Sequence, residues 1–285
     1  MEINLRQNIK TGYPAFRDKS IARIACVSGL TEDHAGEAAA PAISVIMPAL
    51  NAEAHLARAV ASVQVQTRSD WELIIADDGS CDGTLALADS LAKADSRIRV
   101  LPPTDSDAHG AAAARNKAMA TARGRYLAFL DADDEWLPDK LRLQVGRMEA
   151  EALALTFTGF WRDRGVRRYE VKVPPRVTRE ALLRGNVMGT LTVVCDREQL
   201  GDVAFPDLSL RQDYALWLSL LCRTEAAQAL QTPLAVSHVT PGSLSSNRLR
   251  ATRATWRVYR EFAGLGRLAA AGCLTSHLAG RVWRG

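Results

Sequence analysis

The sequence lacks the features of membrane-spanning, secreted and disulfide-rich proteins. No stretch of its 285 residues approaches the roughly 18 consecutive apolar residues that a spanning helix requires. The N-terminus has no basic region that leads into an apolar run, so we expect no secretory signal. The five cysteines lie far apart without a C-x-x-C pair, a pattern more typical of a reducing compartment than of a disulfide framework or a zinc site. We therefore predict a cytoplasmic protein, with at most peripheral attachment to the cytoplasmic face of a membrane.

The net positive charge of the chain comes from its C-terminal segment. The net charge is +4 at neutral pH, but residues 245–285 contain eight arginines and one acid, so this segment carries +7 and the remainder −3. A nucleic-acid binder would carry its basic surface on the folded body. We therefore expect no nucleic-acid partner.

The basic residues of the C-terminal tail, residues 248–285, recur with helical spacing. Four arginines fall on one helical stripe at i, i+3, i+7 and i+10: Arg250, Arg253, Arg257 and Arg260. Trp256 and Tyr259 lie nearby, and several leucines follow. This pattern predicts a basic amphipathic helical tail that docks on an anionic membrane surface. The alternative is a solvated helix face that packs back on the body.

The order of apolar runs divides the rest of the chain. Residues 1–40 show no sustained strand or helix period and are predicted to form a loosely ordered extension. Between residues 41 and 135, apolar runs at 43–47, 72–76, 98–101 and 126–130 predict strands separated by helices, the first run ending at Pro48 and the first helix capped by Asn51. This alternation predicts an α/β domain with a mostly parallel, doubly wound, Rossmann-like sheet. Ligands of such sheets bind beyond the carboxyl ends of the strands.

Residues 136–247 follow a different pattern and are predicted to be the second half of the same domain. Strand-like runs at 156–161 and 166–173 flank a polar turn and indicate a hairpin. A short helix after Thr178, a strand at 191–195 and an apolar helix at 214–221 are expected to follow.

Two aspartates after the fourth predicted strand are candidates for metal binding. Residues two apart on a strand project to one side, so Asp131 and Asp133 are expected to converge on one ligand. Carboxylate oxygens are ligands that Mg²⁺ and Mn²⁺ prefer. The alternative is that these acids only lead into the helix after Pro138 and interact favourably with its dipole.

Two further acidic positions have equally open interpretations. Asp77 and Asp78 begin a polar turn, which is favoured for conformational reasons alone or presents a carboxylate to a nucleoside. Asp213 precedes the apolar helix at 214–221. It either interacts with the helix dipole or serves as a general base that accepts a proton from a hydroxyl.

Taken in order, five segments closely resemble glycosyltransferase family 2. They are ISVIMP at 43–48, WELIIADDGS at 71–80, ARN at 114–116, FLDADD at 129–134 and RQDYALWL at 211–218. The segment GSLSSN at 242–247 is also similar to the family, so the resemblance covers residues 42–247. The run Arg-Gln-Asp-Tyr resembles the subset of teichuronic-acid and lipopolysaccharide side-chain transferases.

The resemblance implies a GT-A fold, inverting sugar transfer, a nucleoside diphosphate sugar donor such as a UDP-sugar, and a Mn²⁺ or Mg²⁺ ion. Residues 41–135 would then bind the donor and residues 136–247 the glycan or lipid-linked glycan acceptor. By position, Asp77 or Asp78 would bind the base, Asp131 the ribose side and Asp133 the metal, with Asp213 as the catalytic base. The remaining positions implied for the donor pocket are Pro48, Leu50, Glu53, Arg115 and Ala132. The positions implied for the acceptor side are Gln212 and Trp217.

Several of these assignments have alternatives. Arg115 could equally be a solvated helix arginine, and Trp217 could pack in the core. The family commonly has an aromatic residue where this chain has Leu50, and it often has Glu where this chain has Gln212. The substitution at Leu50 makes the donor class more secure than the identity of the donor.

Two other functions compete with sugar transfer. A sugar nucleotidyltransferase would need a glycine-rich basic loop after the first strand, and residues 48–51 (PALN) contain neither glycine nor a cation. A catalytically inactive module could bind nucleotide-sugars or glycans. The intact Asp131, Asp133 and Asp213 argue against such a loss of activity.

Overall fold

The computed structural model describes residues 40–103, 110–239 and 248–282. Its strands are β1 (Ile43–Ala49), β2 (Trp71–Asp77), β3 (Ile98–Leu101), β4 (Tyr126–Phe129), β5 (Glu135–Trp136), β6 (Leu155–Asp163), β7 (Arg168–Val171), β8 (Arg176–Val177), β9 (Val194–Asp196) and β10 (Ala227–His238). Its α-helices are α1 (Glu53–Gln64), α2 (Thr84–Ala94), α3 (Ala111–Ala120), α4 (Lys140–Glu151), α5 (Arg179–Leu183), α6 (Arg197–Leu200), α7 (Gln212–Leu220), α8 (Arg248–Arg257) and α9 (Arg267–Val282). A 3₁₀ turn forms at Thr190–Thr192, and a π-helical segment at Val258–Phe262 follows α8.

The strands form one sheet in the order β3-β2-β1-β4-β9-β6-β10-β5, with β7 paired to β6 and β8 to β10. Strands β1 to β4 are parallel. Strand β9 is antiparallel to both β4 and β6, and β10 is parallel to β6, so β6 and β10 run in the direction of β4. The carboxyl ends of β1, β2, β4, β6 and β10 therefore share one edge of the sheet, here called the carboxyl edge. The predicted α/β architecture with a mostly parallel sheet is confirmed.

Strand β1 continues past Pro48, where the sequence predicted its end. The carbonyl of Ile46 faces β4 and accepts a hydrogen bond from the Leu130 amide at 3.1 Å. The backbone nitrogen of Pro48, two residues further on, also faces the β4 side of the strand. The pairing with β4, however, stops at Ile46. Because β4 does not continue on that side, the missing N–H of Pro48 costs no ladder hydrogen bond, and Pro48 pairs with Ala76 of β2 on its other side.

Helix α1 begins without the predicted Asn51 cap. Asn51 has a positive φ of 49° and accepts a hydrogen bond from the Cys81 amide through its side chain at 2.8 Å. The Ala52 amide donates instead to the Thr84 hydroxyl at 2.7 Å. A side chain near the start of each helix thus accepts a hydrogen bond from a backbone amide near the start of the other. These bonds fix the two loops beyond β1 and β2 at the carboxyl edge.

The second half of the domain completes the sheet. The predicted hairpin is confirmed as β6 and β7, and the short helix expected after Thr178 is α5, which Thr178 caps. The predicted strand at 191–195 is shorter, because a 3₁₀ turn occupies its first part and only β9 is extended. Strand β10 was not predicted, since Pro233 lies within it and its pairing with β6 shifts register on both sides of this proline.

The C-terminal tail packs on the body through one face and exposes the other. Val258 and Tyr259 are fully buried, and the Tyr259 hydroxyl donates to the Leu183 carbonyl at 2.7 Å. Tyr259 also lies 3.1 Å from the hydroxyl of Tyr214 on α7. Tyr259 therefore belongs to the core and not to an exposed helical face. The four arginines of the predicted stripe are all exposed.

Candidate active site

The acidic segment after β4 forms a turn at the carboxyl edge. Strand β4 ends at Phe129, and the Asp134 amide donates to the Asp131 carbonyl at 3.1 Å. Asp131 and Asp133 are both half-buried on this turn. The expectation that they converge as alternate residues of one strand is therefore wrong, because the strand ends too early. The turn still presents both residues at the carboxyl edge.

Arg115 is directed inward from α3 onto this turn. Its guanidinium lies 2.5 Å from Asp131 Oδ1 and 5.1 Å from the ring centroid of Phe205. The Arg115 side chain is nearly buried, so it is not the solvated helix arginine of the alternative interpretation. The ion pair fixes one carboxylate oxygen of Asp131.

Asp213 lies in the first turn of α7 and belongs to the same electrostatic cluster. Burial raises the pKa of Asp213, the negative charge of Asp131 raises it further, and Arg211 and Arg115 oppose the shift. The Asn186 amide approaches Asp213 Oδ2 at 3.5 Å. A carboxylate with a raised pKa at a half-buried helix start has the properties of a general base.

The backbone before Asp213 is strained. Arg211 occupies the N-cap position of α7 with a φ of 66°, and no side chain caps the helix. A non-glycine residue with positive φ is uncommon and persists where the surrounding structure holds it. Asp213 is therefore not the helix cap, although its place in the first turn is compatible with a favourable dipole interaction.

The second acidic turn contains two aspartates with different partners. The buried Asp77 carboxylate accepts hydrogen bonds from the Gly79 amide and from the amide and hydroxyl of Ser80, at 2.5–3.1 Å. The half-buried Asp78 accepts from the Gly110 amide at 2.8 Å. Through these hydrogen bonds the Asp77 carboxylate stabilises the turn. Asp78 is the carboxylate of the pair with more remaining hydrogen-bond capacity.

The other positions implied for the donor pocket differ in exposure. Pro48 and Ala132 are buried, whereas Leu50 is 53% exposed at the end of β1. Glu53 is exposed and accepts a hydrogen bond from the Gly83 amide at 2.9 Å. Leu50 and Asp78 are close along the backbone, because the Asp78 amide donates to the Ala49 carbonyl at 2.9 Å.

Sequence reasoning missed a set of polar contacts around the acidic turn. Arg58 of α1 donates to the Asp133 carbonyl at 2.8 Å and pairs with Glu135 at 3.1 Å. Glu135 also lies 2.6 Å from His238 Nε2, and the His238 amide donates to Asp134 at 2.9 Å. The turn is therefore held from both α1 and the end of β10. In the sequence, the only indication of these contacts is that Glu135 directly follows the aspartates.

The acidic turn fits a metal ion that is shared with a phosphorylated ligand. Within residues 40–103, 110–239 and 248–282, no group of three or more His, Cys, Asp or Glu side chains could hold a metal. Asp133 supplies a carboxylate, which is a hard oxygen ligand, whereas Asp131 on the same turn is already paired with Arg115. Mg²⁺ is commonly held by one or two carboxylates together with substrate phosphates. The residues present therefore fit such a shared ion and not a site built from protein alone.

The two positions implied for the acceptor side differ in burial. Gln212 is half-buried at the start of α7. Trp217 is fully buried, with its ring centroid 5.6 Å from that of Phe129 and 6.1 Å from that of Phe205. The acceptor-side assignment of Trp217 is therefore replaced by its alternative, core packing.

Replacing Trp217 by Ala is expected to lower the free energy of unfolding by about 3–5 kcal/mol, because it opens a cavity beside Phe129 and Phe205. Urea denaturation measures this change. Gln212→Ala, at the start of the same helix, is the matched control and should change the free energy of unfolding little. Wild-type stability of Trp217→Ala would show that this side chain does not support the core.

Three comparisons place the chain among known proteins. The model of the family described as Glycosyl transferase family 2 matches residues 44–197. The putative teichuronic acid biosynthesis glycosyltransferase TuaG of Bacillus subtilis is 39% identical over 245 residues, which cover 85% of this chain and 96% of TuaG. The Escherichia coli protein WfgD, a UDP-Glc:α-D-GlcNAc-diphosphoundecaprenol β-1,3-glucosyltransferase, is 35% identical over 77% of this chain and 86% of its own.

Solved structures share the fold at low sequence identity. S. aureus TarS (residues 1–349) in complex with UDP-GlcNAc has a TM-score of 0.66 and 19% identity, covering 83% of this chain and 71% of that one. A mannosyltransferase from Pyrobaculum calidifontis in complex with GDP-Man and Mn²⁺ has a TM-score of 0.61 and 18% identity, covering 83% and 69% of the two chains. The expected GT-A fold is confirmed.

Proposed function

The chain belongs to glycosyltransferase family 2, and from this premise we propose that it transfers a sugar, with inversion, from a UDP-sugar to a hydroxyl of a glycan or lipid-linked glycan in cell-surface polysaccharide synthesis. The observation that carries the proposal is the cluster of Asp131, Arg115 and Asp213 at the carboxyl edge. In this cluster a donor-side carboxylate is paired with a cation, and an acceptor-side carboxylate has a raised pKa.

The proposed base is Asp213. A sugar hydroxyl is a poor nucleophile at neutral pH, so a carboxylate must accept its proton as it attacks the anomeric carbon. Asp77 is committed to its turn, and Asp131 is paired with Arg115. Asp213 lies in the second half of the domain and has the raised pKa that suits proton transfer. A single base with no separate nucleophile corresponds to one displacement and hence to inversion.

The proposed donor site spans the two acidic turns. Asp78 and the exposed Leu50 would contact the base, and Asp131 the ribose side. Pro48, Glu53 and Ala132 would shape the site around them. The names of two similar proteins support a UDP-sugar, since WfgD is described as using UDP-Glc and TarS was solved with UDP-GlcNAc.

Asp133 would hold a divalent cation, Mn²⁺ or Mg²⁺, together with the donor diphosphate. When bound, such an ion neutralises the charge that develops on the leaving group. The mannosyltransferase with GDP-Man and Mn²⁺ supports the choice of ion. The hydrogen bond from Arg58 to the Asp133 carbonyl and the contacts of Glu135 would keep the turn in place while the donor binds.

The proposed acceptor is lipid-linked, and the protein would act at the cytoplasmic face of a membrane. The name of WfgD specifies a diphosphoundecaprenol acceptor. None of the described helices is long and apolar enough to cross a bilayer. We propose that the tail attaches the enzyme peripherally. Its exposed Arg253 and Arg260 lie on the same segment as Leu268, which is 92% exposed.

A screen of nucleotide-sugars tests the proposed function. Release of nucleoside diphosphate is measured for a panel of UDP-, GDP- and dTDP-sugars, with and without Mn²⁺. We expect release from a UDP-sugar that depends on both the metal and an added acceptor. A sugar nucleotidyltransferase would instead consume nucleoside triphosphate and sugar phosphate, and an inactive binding module would retain a nucleotide-sugar without turnover.

A further inference from the structure

The hairpin of β6 and β7 projects from the carboxyl edge, next to the candidate active site. Asp163, the last residue of β6, is paired in register with His238 at the end of β10. The chain then turns over, with the Arg164 amide donating to the Arg167 carbonyl at 3.0 Å, and returns through β7. Residues 161–172 are here called the basic hairpin. Its turn extends beyond the edge on which Asp131 and His238 lie.

The basic hairpin carries an excess of positive charge that the protein does not neutralise. It contains five basic and two acidic residues, for a net charge of +3. Four of the basic residues have their guanidinium groups over aromatic rings at 5.3–5.9 Å from the centroids: Arg162, Arg164, Arg167 and Arg168. In the part of the chain that the structure describes, none of these four forms a salt bridge to a carboxylate. On α4, by contrast, Arg142 and Arg147 are paired with neighbouring acids.

This arrangement suits an anionic partner outside the protein. Arginine is weakly hydrated and presents a planar set of N–H donors that matches phosphate groups. Stacking on Tyr169 orders Arg164 and Arg167 while leaving their N–H groups in solvent. Less side-chain entropy is then lost when the guanidinium groups meet phosphates.

The tip of the hairpin adds an apolar group. Val166 is 102% exposed and stands between Arg164 and Arg167, in a turn where Gly165 has a φ of 75°. Trp161 and Tyr169 are half-buried behind it. A single exposed valine is ordinary in a soluble protein. An apolar tip flanked by arginines and backed by aromatic side chains is instead the composition of a membrane-interface contact.

We propose that the basic hairpin docks on an anionic lipid surface and thereby turns the carboxyl edge toward the membrane. The inference rests on the proposed function, because a lipid-linked acceptor can reach Asp213 only if this edge faces the bilayer. The hairpin supplies that orientation from a position beside the site.

Vesicle binding of the full chain tests the proposal. Co-sedimentation is measured with phosphatidylcholine vesicles that contain or lack phosphatidylglycerol, for wild type, for Arg164→Gln/Arg167→Gln and for Val166→Asp. Because each basic residue near such a surface contributes roughly 1 kcal/mol, the double variant should bind anionic vesicles about 30-fold more weakly. Val166→Asp should also bind more weakly. Lys93→Gln/Arg142→Gln removes the same charge from exposed positions elsewhere and should bind like wild type.

Two further measurements separate the possible outcomes. Wild-type vesicle binding by the folded hairpin variants would overturn the proposal, as would a loss confined to the tail variant Arg253→Gln/Arg260→Gln.

Nucleoside diphosphate release with a water-soluble acceptor should be the same in wild type and in the hairpin double variant. If the hairpin double variant instead has a higher KM for a soluble phosphorylated acceptor and binds vesicles normally, the hairpin contacts the acceptor and not the membrane. If wild type releases no nucleoside diphosphate, the proposed function fails whatever the vesicles show.

Discussion

Replacing Asp213 by Asn is expected to lower turnover by about 10²–10⁴-fold, the usual effect of removing a general base. Donor affinity should change little, because Asn keeps the shape of the side chain and Asp213 is not among the residues proposed to contact the donor. Initial rates of nucleoside diphosphate release and calorimetric titration with the donor measure the two quantities on the same preparation. Ser219→Ala, on the exposed face of α7, is the control and should retain most of the activity.

The interpretation of Asp213 as a purely structural helix residue predicts a different result. In that interpretation the charge of Asp213 interacts with the helix dipole, so Asp213→Asn is expected to keep activity and to lose about 0.3–1 kcal/mol of stability. On our account stability is kept or increased. A folded-state pKa raised by burial means that ionisation of Asp213 above its unfolded pKa costs stability, and the variant removes this cost at neutral pH. Full activity of Asp213→Asn would remove Asp213 from the mechanism.

The same raised pKa predicts the acid side of the pH–rate profile. The base must be deprotonated to act, so kcat/KM should fall as the pH is lowered through the pKa of Asp213. This pKa lies above that of an ordinary aspartate. The loss of activity should therefore begin at a higher pH than for an unperturbed carboxylate.

Replacing Asp133 by Asn is expected to lower turnover by roughly 10³-fold, because a bound metal contributes several kcal/mol of charge stabilisation. Excess EDTA should produce a comparable loss in the wild type. Electron paramagnetic resonance of Mn²⁺ in the presence of UDP gives a readout that does not depend on turnover, and Asp133→Asn should weaken this binding. Asp139→Asn is the matched control, since Asp139 pairs with Arg142 on the surface a few residues further on. Full turnover of the wild type in EDTA would contradict the metal assignment.

The parallel half of the fold could be predicted from the sequence because its signals are local. Each strand from β1 to β4 is a short apolar run, and the segments between them have helical spacing. Strand β10 has no such signal, since Pro233 interrupts it and its pairing depends on two shifts of register. The expected end of β1 at Pro48 was wrong for a related reason. The cost of a proline depends on whether a strand is paired on the side that its missing N–H would face.

The position of the acidic segment could be predicted from the sequence, but its local geometry could not. Asp131 and Asp133 do lie at the carboxyl edge, but they lie on a turn, because β4 ends at Phe129. The contact of Glu135 with His238 joins residues 103 positions apart and leaves no local pattern. The packing of the tail also could not be predicted from its sequence pattern. A helical stripe indicates that one face is basic but not that Tyr259 on the same segment packs into the core.

The measurement that tests the account most directly is the anomeric configuration of the first-formed product. The central claim is a single displacement in which Asp213 acts as the base and no protein nucleophile intervenes. With a gluco-configured UDP-sugar, whose anomeric linkage is α, proton NMR of the reaction mixture distinguishes the two outcomes through the coupling between H1 and H2. The account predicts a β-linked product with a large coupling. An α-linked product formed at the earliest times would contradict it, because retention requires a second displacement or a mechanism that Asp213 does not supply.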